Sequence, residues 1–244
     1  MIASLFHTVI YQPIYNALAF LVGILPGADV GIAIIILTIF IKLILFPLAL
    51  TAVRTQLVMR EIDPVLKQLR KDLKDKPEEL AKRTLAIFKE KKINPLASVF
   101  LILIQLPVII GLYFVFRIEG SGAGFDPNLL YSFISAPMHA SFSFLGAIDL
   151  TTSSITLAIL VAVSQFFASR LMMPKPPEPE EGEQSFQNDL ARSMHLQMRY
   201  VFPLVIGGIA YAVSAATALY LFVSNLFAIG QELYVKHVYK SKAQ

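Results

Sequence analysis

The chain has no cysteine among its 244 residues. That excludes disulfides, thiolate chemistry, cysteine-based metal sites and a lipidated N-terminal cysteine. Charge is scarce as well: 16% of the residues are Asp, Glu, Lys or Arg, against 56% hydrophobic. The apolar runs contain no histidine. His7, His139, His195 and His237 are scattered over other segments without HExxH or any other ligand spacing. Those runs also lack a pair of carboxylates for aspartyl-protease chemistry. No G-x-S-x-G elbow and no Walker-type phosphate loop is present. Neither an enzymatic activity nor a cofactor is therefore expected. The basic stretch 54–92 holds a single aromatic, Phe88, rather than a series of aromatics among its cations, so specific binding of nucleic acid is not expected either.

Long apolar runs are what the chain does have, and they are longer than a soluble core uses. With a mean hydropathy of +0.64, it reads as an all-α polytopic membrane protein. The central run is Val30 to Val53, VGIAIIILTIFIKLILFPLALTAV, long enough to cross a bilayer once at roughly 20 residues per crossing. One cation, Lys42, sits in its middle. An ammonium there costs about 2.5–3.5 kcal/mol on insertion scales. Arg54, the first charge beyond the run, is about 18 Å of helix away, farther than snorkelling covers. Two readings follow: Lys42 snorkels or is neutralised by burial, or it faces a water-holding cavity. Glu119, Asp126 and Asp149 lie in one loop and Glu232 at the end of the last helix, which favours the cavity.

Taken in order, residues 1–28 form an extracytoplasmic amphipathic helix in the interface. Leu5, Phe6, Val9, Ile10, Ile14, Leu18 and Leu21 make its apolar stripe, with His7, Tyr11, Gln12 and Asn16 opposite. A short first span is the alternative. Without a basic n-region, Met1–Gly27 is expected to be retained. The first span is 29–53. A cytosolic helical hairpin follows over 54–94, with Ile62, Val65, Leu66, Leu69 and Leu73 on one arm. Asp75-Lys76-Pro77 breaks it, and Leu80, Leu85, Ile87 and Phe88 line the other arm. The second span is 95–117, opened by Asn94-Pro95. Residues 118–154 form an extracytoplasmic loop whose Gly120–Gly124 cluster reads as flexible and whose 129–148 portion reads as a short surface helix. The third span is 155–173, and 174–199 is a cytosolic loop opened by PKPPEPEEGE. The stretch from Tyr200 to Val235 would be about 54 Å as one helix, too long for a ~30 Å core. It folds instead as spans 200–214 and 217–235, with a turn near Ser214–Thr217 and a tail over 236–244. Five spans place all three basic regions on one side, the cytosol, with the N-terminus outside.

The segments GIAIIILTIFIKLILFPL (31–48), INPLASVFLILIQLPVIIGLY (93–113) and LYLFVSNLFAIGQE (219–232), with the charged hairpin between the first two, resemble the YidC/Oxa/Alb membrane protein insertases. The resemblance runs in order over residues 5 to 235. Lys42 stands at that family's groove-cation position, usually Arg, with Thr38 one turn before it. The resemblance implies five helices around a hydrophilic groove open to cytosol and lipid, lined by Lys42 and Thr38, with Gln105, Gln165 and Asn225 as further candidates. Arg60, Lys67, Arg70 and Lys71 on the hairpin are the candidate partner-docking residues. Implied partners are nascent membrane proteins and the lipid bilayer, with the Sec translocon and the ribosome as further candidates, in a prokaryotic plasma membrane. Three departures stand out. Ser214-Ala215-Ala216 replaces Pro-x-Gly, Leu221 stands where an aromatic is common, and both the large extracytoplasmic domain and the lipoprotein cysteine of two subfamilies are missing. A small-solute or ion transporter using Lys42, and a passive assembly scaffold, are the competing functions.

Overall fold

The computed structural model describes residues 2–94, 97–118, 125–137, 139–173 and 193–243. Its helices are α1 (Ile2–Phe6), joined through a π-turn to α2 (Gln12–Ile24), then α3 (Val30–Asp72), α4 (Pro77–Glu90), α5 (Ala97–Ile118), α6 (Ile155–Met172), α7 (Phe202–Ala212) and α8 (Ala215–Ala243). Two short strands, β1 (Ser143–Phe144) and β2 (Ile148–Asp149), form an antiparallel hairpin. Among the described residues four helices are long and apolar enough to cross a membrane: Ser4–Ile24, Val30–Asp72, Ile155–Met172 and Ala215–Val238. Three of these overlap the expected spans 29–53, 155–173 and 217–235, the first running on well past its expected end to Asp72. The other two expected spans fall on α5, whose described apolar part Leu103–Phe116 is shorter, and on the 11-residue α7. Large apolar side chains are exposed along them, among them Phe40, Leu43, Ile44, Leu103, Phe167 and Leu204. A soluble chain does not leave so much apolar surface bare, whereas lipid tails cover it without penalty. The chain is a polytopic all-α membrane protein.

The chain divides into two compact units, Met1–Leu43 with Leu106–Gly230, and Ile44–Gln105 with Gln231–Gln244. α3, α5 and α8 pass from one to the other, and each does so near a residue that weakens a helix: Pro47, Pro107 and Gly230.

In the first unit the core gathers Tyr15, Leu18 and Val22 of α2, Val30, Ile34 and Leu37 of α3, Leu112 and Val115 of α5, and Leu219 and Tyr220 of α8. The faces of the N-terminal helix differ from the expected stripe. Tyr11 and Asn16 point into the core, whereas Leu5 and Val9 are exposed. Loop hydrogen bonding turns it this way. Asn16 Nδ2 donates to Leu129 O (2.9 Å), its Oδ1 accepts from Tyr131 N–H (2.6 Å), and Tyr15 Oη accepts from Asp126 N–H (2.6 Å). A buried amide needs such partners, and the loop backbone supplies them.

No surface helix forms in the described part of 129–148. Pro127–Leu129 is a single 3-10 turn, and β1–β2 fold back through Leu145 (φ 51°) and Gly146 (φ 71°). Two consecutive positive φ values make a tight hairpin turn and interrupt any helix. The hairpin is fastened to the start of α3 by Asp29. Oδ1 accepts from Gly31 N–H (2.7 Å) and Ile32 N–H (3.1 Å), capping the helix, while Oδ2 accepts from Leu145 N–H (2.9 Å). Gly31 is required here, because a β-carbon would overlap the Phe144 ring. The turn at Ser214 stands as expected. Ala215 N–H donates to Thr152 O (2.7 Å) and Ala216 N–H to Leu150 O (3.1 Å), so loop carbonyls satisfy the first donors of α8.

In the second unit the first hairpin arm is not a separate helix but the continuation of α3 to Asp72. Val58, Ile62 and Leu66 pack with Ile87, Phe88 and Ile93, which closes the expected hairpin. Val65 and Leu85, assigned to the inner stripe from sequence, are exposed instead. The seam is narrower than the hydrophobic pattern because only two helices meet there. The Gly120–Gly124 cluster, the PKPPEPEEGE segment and Pro95 lie outside the described residues.

Candidate functional site

On α3 the positions 30, 33, 34, 37 and 38 are buried, and Ile36, Phe40, Leu43 and Ile44 are exposed on the other flank. Lys42 follows Thr38 by one turn, continues the buried stripe and is half-buried. The sequence fixes this placement, since an i, i+4 step returns to the same side of a helix. Thr38 Oγ1 donates to Ile34 O at 2.6 Å. Its proton is committed within the helix, and its lone pairs are what it offers to a neighbour.

The second polar group joins α6 to α8. Asn225 Nδ2 donates to Ser164 Oγ (3.1 Å) and reaches Val161 O (3.5 Å), while Ser164 Oγ itself donates to Val161 O (3.0 Å). Gln165, next in the chain, is half-buried and donates to Ser169 Oγ at 3.4 Å. Beside Asn225, the buried Ser224 hydroxyl has no hydrogen bond among the described residues. Asn225 is thus brought to Ser164, whereas the bond of Gln165 runs along its own helix to Ser169. Ser164 was visible in the sequence as a polar residue inside a span, but its pairing with Asn225, 61 positions away, leaves no mark in a single sequence. Gln105 belongs to the second unit and is half-buried there.

The four hairpin cations all lie on α3. Lys67 is tied to Asp63 by an exposed i, i+4 ion pair at 3.1 Å, while Lys71 and Arg70 are exposed and Arg60 is half-buried. Such a pair holds little energy and leaves Lys67 exchangeable with a partner's charge. Among the described residues no group of three or more His, Asp or Glu is placed to hold a metal ion. Among the described residues the arrangement offers hydrogen bonds, a cation within the apolar part of α3 and an exposed basic stretch beyond it.

A family model described as 60Kd inner membrane protein matches residues 21–242. The membrane protein insertase YidC of Clostridium tetani is 31% identical over 212 residues, covering 86% of this chain and 83% of that one. The YidC of Oceanobacillus iheyensis is 27% identical over 239 residues, covering 95% and 84%. The longer YidC of Polynucleobacter necessarius is 28% identical over 240 residues, 96% of this chain but 37% of that protein.

Proposed function

The chain belongs to the YidC family, the 60Kd inner membrane protein family, and from that premise we propose that it inserts small membrane proteins into the lipid bilayer through a hydrophilic groove. It is a multi-pass protein of the bacterial inner membrane, and in this reading it crosses five times with its N-terminus outside and its C-terminus in the cytosol. Lys42 and Thr38 line the groove, with Gln165 and Asn225 as further polar positions. A substrate's polar tail enters partly hydrated, which lowers the desolvation that opposes translocation. The apolar flanks then release the hydrophobic segment to lipid. For an acidic tail, an outside-positive potential adds about 2.3 kcal/mol per charge per 100 mV, comparable to the insertion cost of one charge. No nucleotide is needed. The Sec translocon and the ribosome are optional partners, and the hairpin cations are the surface for them.

The observation that carries this reading is Lys42, half-buried on the core-facing stripe of an apolar helix. Reconstitution of the purified chain into vesicles with an acidic-tailed, one-span substrate tests it, read as protease protection of the tail. Translocation by the native chain and its loss in Lys42→Leu is the expected result. Normal translocation by Lys42→Leu would replace the groove by a passive scaffold role.

A further inference from the structure

The second unit contains a cavity of about 700 Å³ at the point where the apolar runs of α3 and α8 end. Arg54 and Lys92 supply its charge, Thr51 and Thr55 its hydroxyls, and Tyr234 a phenol, and the rest of its wall is aliphatic or proline. Among the described residues no carboxylate lines it. Neither cation has an ion-pair partner among the described residues. The nearest acid along α8, Glu232, is 1% exposed and lies 3.1 Å from the Lys236 ammonium rather than in the cavity wall. Lys92 is also held in an unusual backbone. It ends α4 at φ 52°, with Lys92 N–H donating to Lys89 O (3.1 Å) and Ile93 N–H to Phe88 O (3.0 Å). This is the left-handed helix terminator that normally takes glycine. The termination of α4 at Lys92 brings its side chain to the cavity wall.

We infer that this cavity binds the phosphate headgroup of an anionic phospholipid. Arg54 is the first charge after an apolar run of more than 20 residues, so the cavity lies at the level of the headgroups. Tyr234, half-exposed and in ring contact with Phe46 at 6.3 Å, suits the same level. The volume is that of a small-molecule pocket and takes a glycerophosphate with the first methylenes of its chains. A guanidinium and an ammonium over an aliphatic wall match a headgroup anion with its acyl chains, whereas a hydrated acidic peptide gains nothing from the wall. The site does not depend on how the groove works, because lipid retention is measured without insertion.

The test is retention of phosphatidylglycerol against phosphatidylcholine by the detergent-purified full chain, counted by native mass spectrometry from an equimolar mixture. The native chain is expected to prefer phosphatidylglycerol. Lys92→Gly, which removes a cation while relieving the positive φ, is expected to fold and to lose about fivefold of that preference. Adding Arg54→Gln takes the loss to roughly 25-fold, and Arg54→Lys with native Lys92 keeps most of the preference. Should Arg54→Gln fail to fold, Lys92→Gly alone decides. Lys82→Gln with Lys89→Gln, equal in charge lost but on the exposed face of α4, should change nothing. Equal retention of the two lipids, an unchanged Lys92→Gly, or a control that loses as much would overturn the site. Displacement of the lipid by millimolar inorganic phosphate, or by an equimolar glutamate-rich peptide, would reassign it to free phosphate or to protein and overturn the lipid assignment.

Discussion

At the scale of single residues, the proposed groove mechanism uses the charge of Lys42 rather than its shape. Lys42→Arg should retain insertion of acidic-tailed substrates, since guanidinium stays protonated wherever it is placed. Lys42→Glu should do worse than Lys42→Leu with the same substrates, because like charges repel strongly at low dielectric. The initial rate of tail protection in vesicles orders the three, and Glu matching Arg would rule out attraction as the mechanism. Asp29 and Asn225 make a second contrast. Asp29→Ala removes a helix cap, about 0.5–2 kcal/mol, and leaves the Leu145 N–H without its acceptor. Asn225→Leu removes one interhelical hydrogen bond of about 0.6 kcal/mol on average in membranes, and Ser164 keeps its own bond to Val161. Thermal unfolding in one detergent should therefore place Asp29→Ala clearly below Asn225→Leu. The reverse order would mean that the α6–α8 polar contact, not the loop latch, holds the first unit together. Lys42 was legible from sequence because a lone cation in an apolar run needs an explanation. Asp29 also carried a signal, an acid just before the first apolar residue, yet its second role depends on a hairpin more than a hundred residues later.

Elements were legible where they are long. The spans at 30–53, 155–173 and 217–235 and the arm Pro77–Glu90 follow from apolar length, capping and breaker residues, which act locally. The β1–β2 hairpin was not legible. Two-residue strands have no periodicity, and the apolar residues around them resemble a helix face. The faces of Val65 and Leu85 failed for a related reason: a heptad pattern says which residues could pack, and the partner's width decides which do. The contact between α6 and α7 yields an element-scale prediction. A β-carbon on Gly207 would meet the Ala162 β-carbon at 2.7 Å, while one on Gly208 meets nothing within 4 Å. Gly207→Val should thus lower stability by about 1–3 kcal/mol through overpacking, and Gly208→Ala should be neutral or slightly stabilising. Equal melting points for the two variants would mean that α6 and α7 do not pack through Gly207. The hairpin predicts differently, because its seam is small. Leu66→Ala should loosen α4 from α3, seen as faster amide exchange over 77–90, while exchange in α6 and α7 stays unchanged.

For the whole molecule the decisive question is whether Ser4–Ile24 crosses the membrane, since its length and composition allow it. A crossing helix of 21 residues is about 31 Å long, so its two ends would meet opposite faces of the bilayer. The contacts along it argue otherwise. Phe6, Ile10 and Ile14 all lie close to Gly111, within about 10 Å of helix from the end of α5 at Ile118. Tyr15 and Asn16 bind the backbone of 126–131, and Asp29, past the end of α2, binds the hairpin at Leu145. Positions 15, 16 and 29 are therefore all tied to the one connection between α5 and α6. Irregular backbone facing lipid inside the hydrocarbon would be left without partners, which favours an interfacial position for that connection. In the proposed five-span arrangement the N-terminal helix lies along the membrane, and the positive-inside rule assigns the basic stretches after Arg54, after Arg170 and after Lys236 to the cytosolic side. The absence of native cysteine makes this directly measurable. Single cysteines at Ser4, at the exposed Ser153 and at the exposed His237 are to be reacted with a membrane-impermeant thiol reagent in intact cells and in inverted vesicles. Ser4→Cys and Ser153→Cys should label from outside, and His237→Cys only from the cytosolic side. A Ser4 cysteine that labels with His237 instead would make Ser4–Ile24 a sixth crossing. Ser153 and His237 cysteines labelling from the same side would leave an even number of crossings between them, contradicting both arrangements and moving the basic tail outside.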